Sequence, residues 1–288
     1  MLNNTEVFIG CIIILLICIP GLIGNGIVIW LLGFNIKRNP FTTYIFNLSI
    51  ADFGMLTIET IRTLFFILNV LHELSFKYYI NLLHHSIFLF TFMTSQLLLT
   101  IISTDRCVCL FFPLWHRCHR PPHLSTAVCL IIWLVAFLIS VTDIILIVTL
   151  EYYWLGEIQF YLNFVVSMPI MCVSTISMLI EVCIRSQQKK WGKMLRAILI
   201  TLVFFLLFAL PINVAQSLKI FQKTYDYFSL YAYICATLNS TINPMIYYLV
   251  GRDKTESSNR RMHVILDNLF KEEEHYREEQ ETSTEAPL

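Results

Sequence analysis

An aspartate and an arginine close a long apolar run in this chain, in LLLTIISTDRCVCLFFP from Leu97 to Pro113. Asp105 and Arg106 sit where hydrocarbon-facing residues give way to a basic loop. Holding a guanidinium at a membrane boundary is costly, and residues kept there tend to carry function. A second polar group lies deeper. Asp52, in NLSIADF, falls near the middle of one apolar run, and Ser95, Asn239, Ser240 and Asn243 fall at similar depth in two others. An ionised Asp at the centre of a membrane helix costs about 2.5–3.5 kcal/mol on insertion scales, so it must face the bundle interior or water. Together these side chains could form an oxygen-rich pocket for a hydrated cation such as Na⁺. The alternative is a structural hydrogen-bond network without an ion.

A third pair is Asp143 and Glu157. Asp143 stands ten residues beyond Trp133, about 15 Å further along a helix. Glu157 opens the next apolar run, and the loop between is short. Two carboxylates would flank one outer mouth with no Lys or Arg beside them in sequence, and would attract an ammonium or guanidinium group. The competing reading pairs Asp143 internally with Arg62 and leaves Glu157 solvated. Arg62, however, has a nearer partner in Glu59, one turn away. His84 and His85 are adjacent, so on a helix they point in different directions and do not suggest a metal site.

Composition supplies the helices that must hold these groups. The chain has 288 residues, 57% hydrophobic and 14% charged, with a mean hydropathy of +0.67. That is too little charge to cover a soluble domain. Long apolar runs alternate with short charged clusters, and each run exceeds the ~20 residues needed to cross a hydrocarbon core. The spans read as Val7 to Gly33, Thr43 to Leu68, Tyr79 to Phe112, Leu124 to Leu150, Ile158 to Ile184, Leu195 to Ile220 and Phe228 to Val250. The expected fold is an all-α membrane protein, a seven-transmembrane helix bundle with a short amphipathic inner-surface helix. Residues 1–6 are read as an extracellular N-terminus, 7–250 as the membrane domain, 251–270 as the amphipathic helix and 271–288 as an acidic cytoplasmic tail.

Charge sets the orientation. Segments after the first, third, fifth and seventh spans, together with Arg106 and Arg196 at the span ends beside them, hold 16 of the 20 Lys and Arg, the others being Arg62, Lys77, Lys219 and Lys223. The positive-inside rule then puts the N-terminus outside and the tail in the cytosol, at the plasma membrane. Asn3-Asn4-Thr5 is a glycosylation sequon usable in that orientation, at Asn3. The basic residues hug span ends and form no stripe, so no nucleic acid is expected as a partner. The nine cysteines fall within spans or on the inner side, where small apolar packing is the ordinary role.

Three prolines suggest bends: Pro169, Pro211 and Pro244, the last within Asn243-Pro244-Met245-Ile246-Tyr247. Each lacks an N–H and frees a backbone carbonyl, which permits a kink. Their placement suggests a bundle whose inner half can move. After the last span, Met262, Val264, Ile265, Leu266, Leu269 and Phe270 recur at helical spacing beside Arg260 and Arg261, as in a helix lying on membrane lipid.

Gly24-Asn25, Leu48 to Asp52, Asp105-Arg106, Trp133, Pro169, Pro211 and Asn243 to Tyr247 come one group per span. In that order they resemble the landmarks of a rhodopsin-like G-protein-coupled receptor. More narrowly, GNGIVIWLLGFNIKRNPF, HRCHRPPHLS and LNSTINPMIYYLVG resemble the Mas-related receptors. So do Cys107 after the Asp-Arg, Ala209 two residues before Pro211, and Asn81 where most rhodopsin-like receptors have cysteine.

The resemblance implies a receptor for an extracellular ligand and a heterotrimeric G protein as partner. Arg106 would contact the G protein's C-terminal helix, Leu114 would fill a hydrophobic pocket on it, and Asp105 and Tyr247 would belong to the same coupling machinery. Several members of the branch bind basic peptides or cationic amphiphiles through acidic residues at positions matching Asp143 and Glu157. Those members carry a disulfide where this chain has Ile147 and Tyr153, a departure from the pattern. The branch also accepts adenine-like molecules and zwitterions. Phe88 stands where amine receptors have Asp, which argues against a biogenic amine. Trp191 replaces an acidic partner that restrains the Arg in many relatives, so basal activity is expected. Thr282, Ser283 and Thr284 could accept phosphate in the tail, where arrestin would be a further partner.

No cofactor is implied beyond the allosteric sodium ion. A transporter would show repeated halves or broken helices. An intramembrane enzyme would show a catalytic motif such as HExxH. Neither pattern is visible in the sequence.

Overall fold

The computed structural model describes residues 4–36, 39–72, 77–112, 119–121, 123–150, 161, 163–185, 193–218, 226–251, 264–266 and 268–270. Seven long helices run through them, and no strand occurs among the described residues. Helix α1 covers Asn4–Trp30 and widens into a π-type turn at Leu31–Asn35; α2 covers Pro40–His72, α3 Lys77–Phe111 and α4 Leu124–Leu150. Helix α5 opens as a π-type turn at Asn163–Ser167 and runs on over Met168–Arg185; α6 covers Lys193–Leu218 and α7 Asp226–Gly251. A 26-residue helix such as α7 is about 39 Å long, enough to cross a bilayer core of about 30 Å.

Local sequence explains the irregular ends. Pro169 has no N–H and its ring crowds the carbonyl four residues back, at Val165, which lies inside the wide turn. The expected bend at this proline is therefore a π-type turn just before it. The start of α2 is capped: Asn39 Oδ1 accepts from the N–H groups of Phe41 and Thr42 at 2.9 and 2.8 Å, while Thr42 Oγ1 accepts from the Asn39 N–H at 2.9 Å. Pro40 fills the first helical position, where no N–H is needed.

By length and apolarity alone, four stretches among the described residues qualify as membrane spans: Glu6–Asn35, Tyr79–Phe111, Leu124–Leu150 and Asn163–Glu181. Helix α2 falls outside that set because it carries Asp52, Glu59 and Arg62, and α7 because it carries Asn239, Ser240 and Asn243. Asp52 of α2 and Ser240 and Asn243 of α7 are buried and bonded to one another. Helix α4 shows the converse pattern. Its buried stripe is Ser125, Cys129, Ile132, Ala136, Ser140, Asp143 and Ile147, while Leu130, Ile131, Leu134 and Phe137 point outward.

Among the described residues the core is three apolar clusters: a small one of Ile14, Cys18 and Leu56, and two others with a polar layer between. One, including Leu48, Leu98, Ile102, Phe205 and Tyr247, fills the half that holds Asp105. The other, including Met55, Phe88, Phe92 and Ala232, fills the opposite half. Along α2, Asp52 lies between Leu48 and Met55. Helices α1, α2 and α7 close tightly at Gly21, where a Cβ would collide with Thr241 Oγ1 and reach within 2.7 Å of Leu56. Of the expected amphipathic helix, 264–266 and 268–270 are described and helical. Ile265, Leu266, Leu269 and Phe270 are buried, and the Phe270 ring meets Tyr247 edge-on at 6.2 Å. Those apolar side chains pack under the bundle.

Candidate functional site

Four helices build the middle layer. Asp52 on α2 is fully buried. Its Oδ1 accepts from Ser95 Oγ of α3 at 2.8 Å and from Ser240 Oγ of α7 at 2.9 Å; its Oδ2 accepts from Asn243 Nδ2 at 2.7 Å. Beside them, Asn25 of α1 donates to the Ser240 carbonyl at 3.0 Å. Sequence reasoning grouped Asp52, Ser95, Asn239, Ser240 and Asn243; the structure joins all of these directly except Asn239. Asn239 is buried, and its Oδ1 and that of Asn243 have no hydrogen-bond partner among the described residues. Orphaned buried oxygens beside a carboxylate are a donor set of the kind a hard cation takes. The residues present therefore fit a sodium ion.

The end of the bundle away from Asp105 carries two histidine–carboxylate pairs. His84 Nε2 lies 2.6 Å from Glu59 Oε1, and Arg62 Nη2 lies 2.9 Å from Glu59 Oε2. Of the two partners considered for Arg62, the geometry selects Glu59. The Arg62 guanidinium also stacks over the Tyr233 ring of α7 at 5.2 Å. His85, one residue on, turns to α4, where its Nε2 lies 2.9 Å from Asp143 Oδ2. Asp143 is fully buried while the His85 side chain is 41% exposed, so the imidazole is the accessible member of the pair. Phe88 packs between Phe92 and Tyr233 with ring centroids 5.4 and 5.3 Å away.

At the opposite end, Asp105 Oδ1 pairs with Arg120 Nη1 at 3.0 Å, and both side chains are nearly buried. Arg120 Nη2 also donates to Ser125 Oγ of α4 at 2.7 Å. Arg106 lies over the Phe41 ring of α2, its Cζ 3.6 Å from the centroid. Tyr247 is buried beside Phe270. Pro244 lies inside α7. Trp133 of α4 donates to Asn47 Oδ1 of α2 at 2.9 Å.

Asn3, Leu114, Tyr153, Glu157, Trp191, Arg260, Arg261, Met262, Thr282, Ser283 and Thr284 lie outside the described residues. So do the side chains of Ala209 and Pro211, although both fall within α6. Sequence reasoning missed the two histidine partnerships, the Arg120 bridge and the Phe41 contact. The His84-His85 doublet was a readable signal, since neighbours on a helix face different helices. The carboxylate each would meet depends on packing.

Comparison with known proteins bears on these sites together. A model of the family described as 7 transmembrane receptor (rhodopsin family) matches residues 24–247. The chain is similar to the Proto-oncogene Mas protein of Rattus norvegicus, 32% identical over 268 residues, covering 88% of this chain and 81% of that protein. It is similar to Mas-related G-protein coupled receptor member A1 of Mus musculus, 30% identical over 284 residues, covering 93% and 91%. With member X2 of Hoolock hoolock it shares 30% identity over 263 residues, covering 87% and 79%.

Proposed function

Because the chain belongs to the rhodopsin family of seven-transmembrane receptors, in its Mas-related branch, we propose that it senses a cationic extracellular ligand and passes the signal to heterotrimeric G proteins. It is a multi-pass receptor of the cell membrane, not an enzyme. The ligand is a basic peptide or an amine-bearing small molecule, held at an outer mouth by Asp143 and Glu157. The N-terminus is outside, with Asn3 open to glycosylation, and the tail is cytosolic and able to meet arrestin. The observation that carries the ligand side is the Asp143 carboxylate, fully buried beneath a part-exposed imidazole. A carboxylate in a low-dielectric site attracts a cation far more strongly than one in water.

Signalling follows from differential affinity. A ligand that binds the open bundle better shifts the population toward it. Pro169, Pro211, Pro244 and the Asn243–Tyr247 segment are the points at which α5, α6 and α7 flex. Opening of the inner end brings Arg106, Asp105, Leu114 and Tyr247 to the G protein. A sodium ion would be held by Asp52 with Ser95, Asn239, Ser240 and Asn243, and would supply positive charge that ties α2, α3 and α7 in the closed bundle. Without it, the three hydrogen bonds to Asp52 perform the tethering.

A second ligand class is supported by one observation. Arg62 is 26% exposed and backed by Glu59, so it can meet the carboxylate of a zwitterion or stack on an adenine-like ring.

A calcium and cAMP screen against basic peptides, run on wild type, Asp143→Ala and Glu157→Ala, tests the ligand side. Loss of response in both variants at equal surface expression is expected. Equal responses from all three would remove the acidic mouth. Epitope tags at the two ends of the chain test the orientation: on intact cells the N-terminal tag alone should be reached.

A further inference from the structure

We propose that Phe41 is a positioning residue for Arg106, its ring holding the guanidinium toward α2 in the signalling-silent bundle. This rests on the receptor reading above and adds to it a partner that restrains Arg106. Arg106 Cζ lies 3.6 Å from the centre of the Phe41 ring, face-on contact for a planar cation. Phe41 is fully buried in the inner core cluster. Its backbone is fixed by the Asn39 cap and by Pro40 at the first turn of α2. The ring is therefore a rigid, dry surface, while Arg106 is the mobile member at the end of a flexible stem.

The neighbouring charges favour this division. Asp105 is bridged to Arg120 at 3.0 Å, and Arg120 is tied in turn to Ser125 on α4. The two residues of the Asp105-Arg106 pair are thus drawn apart, the carboxylate to Arg120 in the segment before α4 and the guanidinium to Phe41 on α2. A G protein that takes Arg106 must first lift it from the ring. A desolvated ring makes that contact stronger than an exposed one. The alternative is that Phe41 only fills space beneath α2. Leucine would then serve as well, since it keeps the apolar bulk and loses the π face.

The test is guanine-nucleotide exchange in membranes carrying the full chain, with heterotrimers of each Gα class and no added agonist. Receptor density is matched across variants. Phe41→Ala and Phe41→Leu are expected to raise Arg106-dependent basal exchange about threefold to tenfold. Phe41→Tyr, which keeps the ring, should stay within about twofold of wild type. Adding Arg106→Ala to Phe41→Leu should return exchange to the Arg106→Ala floor.

Basal exchange in Phe41→Leu at or below wild type overturns the proposal. So does a rise in Phe41→Tyr equal to that in Phe41→Leu. Should Phe41→Ala fail to reach the surface, the Leu and Tyr variants decide. If no variant, wild type included, shows Arg106-dependent exchange at any density, the signalling reading itself fails and this inference falls with it.

Discussion

His85 Nε2 lies 2.9 Å from Asp143 Oδ2, joining α3 to α4. Its neighbour His84 turns to α2 and meets Glu59 at 2.6 Å. Successive residues on a helix point about 100° apart. Two adjacent imidazoles can therefore tie one helix to two others. The arrangement also sets a condition on ligand binding: a cation that seeks Asp143 must compete with His85 for it.

Removing that competitor should help the ligand. In His85→Ala, the Asp143 carboxylate loses one hydrogen-bond partner. Potency of a basic peptide agonist is expected to rise about tenfold, the size of one charge-assisted hydrogen bond. Asp143→Ala should abolish the response in either background. Dose–response curves of the single and double variants check this. An unchanged curve in His85→Ala would separate Asp143 from the ligand.

Glu59 serves two partners at once, Arg62 and His84, from a fully buried position. Glu59→Gln leaves the partly buried Arg62 guanidinium without its counter-charge and alters the contact with the buried His84 ring. The expected cost is about 2–3 kcal/mol, below the full value for a buried pair because Arg62 reaches solvent. Thermal unfolding in detergent can be followed with a thiol-reactive dye, since Cys11, Cys18, Cys129 and Cys235 are free and buried in the folded protein. The variant should expose them several degrees earlier than wild type.

The middle layer makes a salt-specific prediction. Replacing K⁺ by Na⁺ at constant ionic strength should lower agonist affinity about fivefold in wild type, the low end of ordinary coupling between sites. Asp52→Asn should remove the difference. Radioligand displacement in the two salts reads it directly. Equal sodium sensitivity in Asp52→Asn would leave the Asp52 network as plain hydrogen bonding.

Gly21 lies where α1, α2 and α7 close, and a Cβ there would strike Thr241 and Leu56. Gly21→Ala should destabilise the bundle by about 1–3 kcal/mol, the usual cost of overpacking. The same thiol assay measures it. Gly26, whose Cβ would meet only Phe53 at 3.7 Å, should tolerate alanine.

Much of this protein was legible in one dimension. Apolar run length led to seven helices, because hydrocarbon penalises charge wherever it falls along the chain. Asp52 with Ser95, Ser240 and Asn243 could be grouped by depth alone, since residues at equal depth in packed helices meet. Asn25 and Asn239 show the limit of that argument: Asn25 reaches the Ser240 carbonyl, while Asn239, at the right depth, makes no bond to Asp52. Depth is a sequence coordinate; rotation about the helix axis relative to its neighbours is not. Glu59 could be read as the partner of Arg62 from spacing, since the two lie one turn apart on α2. Only the packed bundle decided that His85 covers Asp143, that Arg120 takes Asp105 and that Arg106 rests on Phe41. Each of those choices turns on how segments distant in the chain pack together. That is set by how side chains from the whole chain interlock, so no single stretch of sequence contains it.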